Sequence, residues 1–246
     1  MYWCGIQFNK IFEDSVQCGG NELLVQELQC LKDIKTLGVS IKCITALEVL
    51  LTSQMLLNST QSLLLHNCTL QFLNLSTFSK MERLDRLGIY RCESLEDMKI
   101  DWEWERREQY SQVTCPPDLC SVFLSLGDVN IQHCPKLKDL TGLIFAPKLY
   151  RLRIWKCEGV EEIISAEKLV DAPDVVKCLQ PFLKLESLDS RAFPKLKNIY
   201  PKPLPFPCLK SIKVSKCEEL KKLPVSSKIT RIGPNLTIKG SKILVE

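Results

Sequence analysis

The chain has 246 residues, 45% of them hydrophobic and 25% charged, with a mean hydropathy of −0.01 and a formal net charge of +4. These values exclude a disordered or collagen-like chain and suit a globular one long enough to bury a core; no run approaches the ~18 consecutive apolar residues of a membrane-spanning helix. The charge is uneven: residues 1–194 carry 21 Lys/Arg against 26 Asp/Glu, whereas residues 195–246 carry 12 against 3.

Residues 1–26 form an N-terminal segment without a defined pattern, and Met1 to Lys10 lacks the basic and apolar regions of a secretory signal. From residue 27 to 246 the chain repeats L-x-x-L-x-I-x-x-C-x-x-V-x-x-I. A degenerate copy starts at Ile34 with Leu37 and Val39, and a weak one holds Leu63, Leu65 and Cys68. A full copy follows as Leu84, Leu87, Ile89, Cys92, Leu95 and Met98, then an insertion over 99–122 that contains Trp102, Trp104 and Tyr110. Leu126, Val129, Ile131, Cys134, Leu137 and Leu140 form the next copy, and Leu149, Leu152, Ile154, Cys157, Val160 and Ile163 the one after. A polar insertion over 165–181 precedes Leu185, Leu188, Ser190, Phe193, Leu196 and Ile199, where Phe193 stands in the cysteine position. The last copy is Leu209, Ile212, Val214, Cys217, Leu220 and Leu223.

Anchored on the second position, the copies step by 26, 24, 42, 23, 36 and 24 residues. Four of the six steps fall in the ~20–29-residue period of leucine-rich repeats, and the two long ones hold the insertions. The period-two anchors share one side of a short strand, and the following spacing of three suits a turn and a return segment. No copy can bury its apolar edge alone, so the fold class is α/β. It is a curved leucine-rich-repeat solenoid, with a parallel sheet on the concave face and short helices or irregular segments on the convex face. The in-register cysteines fit a buried bend that takes a small side chain.

The 13 cysteines are odd in number and spread along the chain, which fits free thiols in a reducing compartment and a cytoplasmic location. Sequons at Asn58, Asn67, Asn74 and Asn235 support the alternative of a secreted, glycosylated structural or interaction protein. A third reading, an enzyme with a reactive cysteine, has little behind it. His133 and Cys134 are adjacent on a strand and point to opposite faces. No phosphate-binding glycine loop, nucleophile elbow or metalloprotease motif occurs, and Cys115 and Cys120 lack a second cysteine pair for zinc. The sequence therefore gives no catalytic residue, cofactor, metal or small-molecule substrate, and no nucleic-acid motif.

The expected activity is protein binding. The non-anchor positions of each strand face away from the core, and two rows combine arginine with an aromatic, the residue types that dominate interface energetics. The candidate contact residues are Tyr90, Arg91, His133, Arg151, Arg153, Trp155 and Lys156, extended by Lys213 and Lys216 on the last copy. Trp102 and Trp104 join them, because solenoid insertions often fall on the binding face.

The run Asn130-Ile131-Gln132-His133-Cys134-Pro135-Lys136-Leu137-Lys138-Asp139-Leu140 resembles a known family. So do Cys157-Glu158-Gly159-Val160-Glu161-Glu162-Ile163-Ile164 and Phe193-Pro194-Lys195-Leu196-Lys197-Asn198-Ile199. Over about residues 22–246 the chain is similar to the C-terminal leucine-rich-repeat region of plant intracellular coiled-coil, nucleotide-binding, leucine-rich-repeat disease resistance proteins. The resemblance implies sensing of a pathogen effector or a guarded host protein, and restraint of a nucleotide-binding module. That module and its P-loop are absent from these residues, so nucleotide chemistry does not carry over and the chain reads as a fragment, a truncated gene product or a C-terminal exon product.

Overall fold

The repeat anchors build one ladder. In the computed structural model, which describes residues 18–30, 34–99, 123–170, 181–202, 204, 206–223 and 237–239, eight strands form a single parallel sheet. In chain order its strands are β1 (Leu37–Ile41), β2 (Thr60–His66), β4 (Arg86–Tyr90), β6 (Asp128–Gln132), β7 (Arg151–Trp155), β8 (Ser187–Arg191), β9 (Ser211–Ser215) and β10 (Thr237–Lys239), each paired with the next. Two short strands, β3 (Phe72–Asn74) and β5 (Asp97–Lys99), pair separately. Parallel pairing needs a crossover between strands, and the return segment of each repeat supplies it.

The register puts like on like. Leu63, Leu87, Val129, Leu152, Leu188 and Ile212 face one another along one rail, and Leu65, Ile89, Ile131, Ile154, Ser190 and Val214 along the next. All are buried. The burial of one continuous row, not any single coil, supplies the apolar area that holds the chain together.

Two readings of the repeat need correction. In the first copy Val39, not Leu37, lies opposite Leu63, and Ile41 lies opposite Leu65; the register slips between Leu37 and Gly38. Leu37, Val39 and Ile41 all satisfy a period of two, so the sequence pattern leaves the frame ambiguous and only pairing fixes it. An eighth rung also follows the seven expected, since Ile238 in β10 pairs with Ile212.

Helices lie on the N-terminal rungs: α1 (Cys18–Gln29), α2 (Ile44–Thr52) and α3 (Gln54–Ser59). α1 spans residue 26, the end assigned to the N-terminal segment, and packs on α2, with Val25 fully buried and the Gln29 amide donating to the Val49 carbonyl at 3.2 Å. Ala46, Leu47 and Leu50 give α2 its buried stripe at helical spacing. The Ser53 hydroxyl caps α3 by accepting from the Leu56 amide. Further along, the return segments shorten to 3₁₀ turns at Leu75–Lys80 and Thr141–Phe145. Of the second insertion, α4 (Ala166–Val170) is described; residues 171–180 lie outside the described ones.

A second backbone ladder ties the return segments. Amides of Glu96, Lys138, Glu161 and Lys197 donate in turn to the carbonyls of Gln71, Glu96, Lys138 and Glu161. Gly159 sits against this stacking: a Cβ there would lie 2.5 Å from the Pro135 carbonyl oxygen.

Candidate protein-recognition face

Six consecutive strands of the sheet, from β2 to β9, end in the same bend. Asn67, Arg91, His133, Lys156, Ala192 and Lys216 all have φ between 51° and 60°, the left-handed region. That turn aims the next residue inward, where Cys68, Cys92, Cys134, Cys157 and Cys217 are buried. Each thiol donates a weak bond to the carbonyl two residues back, and Cys68 also reaches the Ile41 carbonyl of the preceding rung at 3.3 Å. The neighbouring Cys92 thiol first and burial second push the Cys68 thiol up, Cys157 and then burial do so for Cys134, and burial raises Cys217. The hydrogen bond with Cys68 in turn lowers the Cys92 thiol; the raised, buried thiols of Cys68, Cys134 and Cys217 are packing groups.

Across the bends the ladder continues, with the amides of Asn67, Arg91, His133 and Lys156 donating to the Tyr90, Gln132, Trp155 and Arg191 carbonyls, each at 2.9 Å. The bends of neighbouring rungs are thereby fixed side by side, and with them the candidate residues Arg91, His133, Lys156 and Lys216.

Three rows run over the open face of the sheet. The row nearest the strand starts contains Arg86, Asp128 and Arg151; the middle one contains Gly88, Asn130, Arg153, Asp189 and Lys213; the third contains His66, Tyr90, Gln132, Trp155, Arg191 and Ser215. Ring contacts link three rungs of the third row and its bend. His66 stacks on Tyr90 with centroids 5.1 Å apart, Tyr90 meets His133 edge-on at 5.6 Å, and the Arg91 guanidinium lies 5.3 Å from the Tyr90 ring. On the next rungs Arg191 covers the Trp155 ring at 5.0 Å, and the Trp155 indole Nε1 is buried without a partner among the described residues.

Burial, then Lys42 and Arg91, hold the His66 imidazole below its ordinary value. Burial does the same for His133, followed by Lys156 and Arg91, which outweigh Glu158 and Glu93. Both imidazoles are therefore neutral at neutral pH and act as flat, half-buried rings.

Asp128, which the strand alternation puts on the open face, is not among the contact candidates, yet it organises two of them. Its carboxylate is 2% exposed and accepts from Arg153 Nη2 at 3.0 and 3.1 Å and from Arg151 Nη1 at 3.2 Å. Arg153, 15% exposed, is drawn into the sheet by this pair, whereas Arg151 is 44% exposed and still reaches solvent. The pairing crosses rungs 23 and 25 residues apart in sequence, so no local signal announces it. Asp189 holds Arg191 two residues on within its own strand, at 2.7 and 2.8 Å.

The structure thus gathers Tyr90, Arg91, His133, Arg151, Arg153, Trp155 and Lys156 on three adjacent strands and their bends, with Lys213 and Lys216 two rungs beyond. Trp102 and Trp104 lie outside the described residues. Among those described, no group of three or more His, Cys, Asp and Glu is placed to hold a metal, and no helix is long and apolar enough to cross a membrane.

A family model of leucine-rich repeats from RPS2-like plant disease resistance proteins matches residues 118–232. The chain carries the leucine-rich repeats of this family. It is 37% identical over 215 residues to the disease resistance protein RPS5 of Arabidopsis thaliana, covering 87% of the chain and 23% of that protein. Likewise it is 37% identical to SUMM2 of the same plant, over 88% of the chain and 23% of that protein. The chain therefore spans about a quarter of the length of the curated relatives it matches. A solved leucine-rich repeat domain, from the type III effector XopL, aligns with 96% of this chain and 88% of its own at 14% identity and a TM-score of 0.47. The parallel ladder described above defines the fold without it.

Proposed function

We propose that this chain is a protein-recognition module of plant defence, whose open sheet face contacts a pathogen effector or a guarded host protein and, in a full-length receptor, restrains the nucleotide-binding module. The observation that carries this reading is the open face itself. Parallel sheets are nearly always covered on both faces, yet here one face bears solvent-facing rows of arginine, lysine, tyrosine and tryptophan. Those side chains supply interface hot spots, and a fixed backbone ladder holds them at little entropic cost to binding. The relatives named as disease resistance proteins supply the setting. The reducing cytoplasm is the matching location, since six buried cysteines among the described residues stand as free thiols.

The test is co-immunoprecipitation with candidate effectors and with the nucleotide-binding module of a plant resistance receptor. The variant Tyr90→Ala/Trp155→Ala/Lys156→Ala should lose the complex while keeping its circular dichroism. The variant Lys136→Ala/Lys148→Ala, at exposed lysines outside the sheet, should keep it. If the first variant binds as well as the unaltered protein, this face is not the contact surface.

A further inference from the structure

The open face has a sign of its own, opposite to that of the first 194 residues. Asp128 and Asp189 are the carboxylates in its described rows, and both are buried and already engaged by arginines of the same face. Arg91, Lys156, Lys213 and Lys216 have no carboxylate partner among the described residues; Arg91, Lys156 and Lys216 are exposed and Lys213 is half-buried. Three of the four occupy the left-handed bends, so they line up on one rim of the sheet, at the strand C-termini. The opposite rim carries Asp85 and Glu186, each beside a cation, Arg86 at 3.7 Å and Lys210 at 2.8 Å. Cations without a carboxylate partner among the described residues are therefore lined up along one edge. Glu93, Glu158 and Glu218 follow the bend cysteines but lie two residues past the cations, and at His133 the neighbouring Lys156 and Arg91 prevail over Glu93 and Glu158.

From this we infer that the partner segment is acidic and extended, and that it lies across the rungs along the bend rim from Arg91 to Lys216. The inference rests on the open face being a protein-recognition surface. Adjacent strands are ~4.8 Å apart, so the four steps from β4 to β9 span about 19 Å, the reach of about six extended residues. Carboxylates along such a segment would meet Arg91, Lys156 and Lys216, while its backbone and apolar groups would lie on the Tyr90 and Trp155 rings. Rim cations of this kind act mainly through steering and specificity.

Fluorescence anisotropy with a labelled peptide of alternating Glu and Ser tests the idea, with an alternating Lys and Ser peptide and single-stranded oligothymidylate alongside. The full chain should bind the acidic peptide and not the basic one. Arg91→Glu/Lys156→Glu should weaken binding by about tenfold, equivalent to about 1.4 kcal/mol. Lys136→Glu/Lys148→Glu makes the same change in net charge and should leave the affinity within about twofold, since distant exposed charges are screened. Should Arg91→Glu/Lys156→Glu fail to fold, Lys213→Glu/Lys216→Glu serves in its place with the same expected loss. Equal weakening by rim and control variants, no binding of the acidic peptide, or tighter binding of oligothymidylate through the same lysines would each overturn the inference. Loss of protein partners in the Tyr90→Ala/Trp155→Ala/Lys156→Ala variant, without any acidic-peptide binding, would leave the recognition reading standing and remove only this one.

Discussion

Rungs β7 and β8 are neighbours that solve the same packing problem differently. β7 fills its three inward positions with Leu152, Ile154 and Cys157, whereas β8 uses Leu188, Ser190 and Phe193, all of them buried. Where β8 loses volume at Ser190 it regains it three residues later at Phe193, so the volume of the whole rung is kept while its distribution is not. The open faces differ in parallel. β7 sends Arg151 and Arg153 to a carboxylate on the preceding strand, whereas β8 satisfies Arg191 with Asp189 of its own strand. A coil in a solenoid is constrained by what it must present to the next coil, and less by residue identity at any one position.

The largest effect should come from the bend position. Phe193→Ala should cost about 3–5 kcal/mol in urea unfolding, against about 1 kcal/mol for Cys157→Ala, because the cavity left by a phenyl ring is far larger. Combining Phe193→Cys with Ser190→Ile writes the β7 pattern into β8 and should restore most of what either change loses alone. A double-mutant cycle with no favourable coupling would break the claim that the two positions share one space.

A smaller contrast is expected on the open face. Asp128→Asn takes the carboxylate charge from a guanidinium that is 15% exposed and should cost about 2–3 kcal/mol, somewhat below the cost of breaking a fully buried pair. Asp189→Asn should cost about 1 kcal/mol or less, since Arg191 is 46% exposed and water replaces the lost partner. Equal losses in thermal denaturation would mean that crossing between rungs adds nothing.

The smallest effect lies on the return segments that join these same two rungs. Lys197, on the β8 side, donates to the Glu161 carboxylate, on the β7 side, at 2.8 Å, and this bond holds Glu161 below its ordinary value of 4.5. Its contribution is present above the unfolded carboxylate value and is lost as pH falls through the folded one. The melting temperature of Lys197→Gln, followed from pH 6 downward, should therefore fall less steeply through the carboxylate range than that of the unaltered protein.

Much of this was legible in the residues. The period-two anchors followed by a period of three fixed the strand, the bend and the inward cysteine, because each apolar position there has only one face to go to. The β10 rung was within reach of the same reasoning: Ile238 stands 26 residues after Ile212, inside the repeat period. The frame of β1 was not, since three alternating apolar residues fit two registers equally well and only the slip between Leu37 and Gly38 chooses. Among the contact candidates, the rows of the open face followed from alternation. Which arginines remain available to a partner did not follow, because Asp128 acts on residues a full repeat away.

By itself the sequence determined that apolar side chains recur at the spacing of a stacked coil, and so that the chain forms a ladder with one polar face. Tertiary pairing alone decided the register, the ion pairs that cross it and the line of cations along one rim that have no carboxylate partner among the described residues. The reason is range: alternation and turns are set by neighbours a few residues away, whereas charges on adjacent strands meet only after whole repeats have been brought side by side.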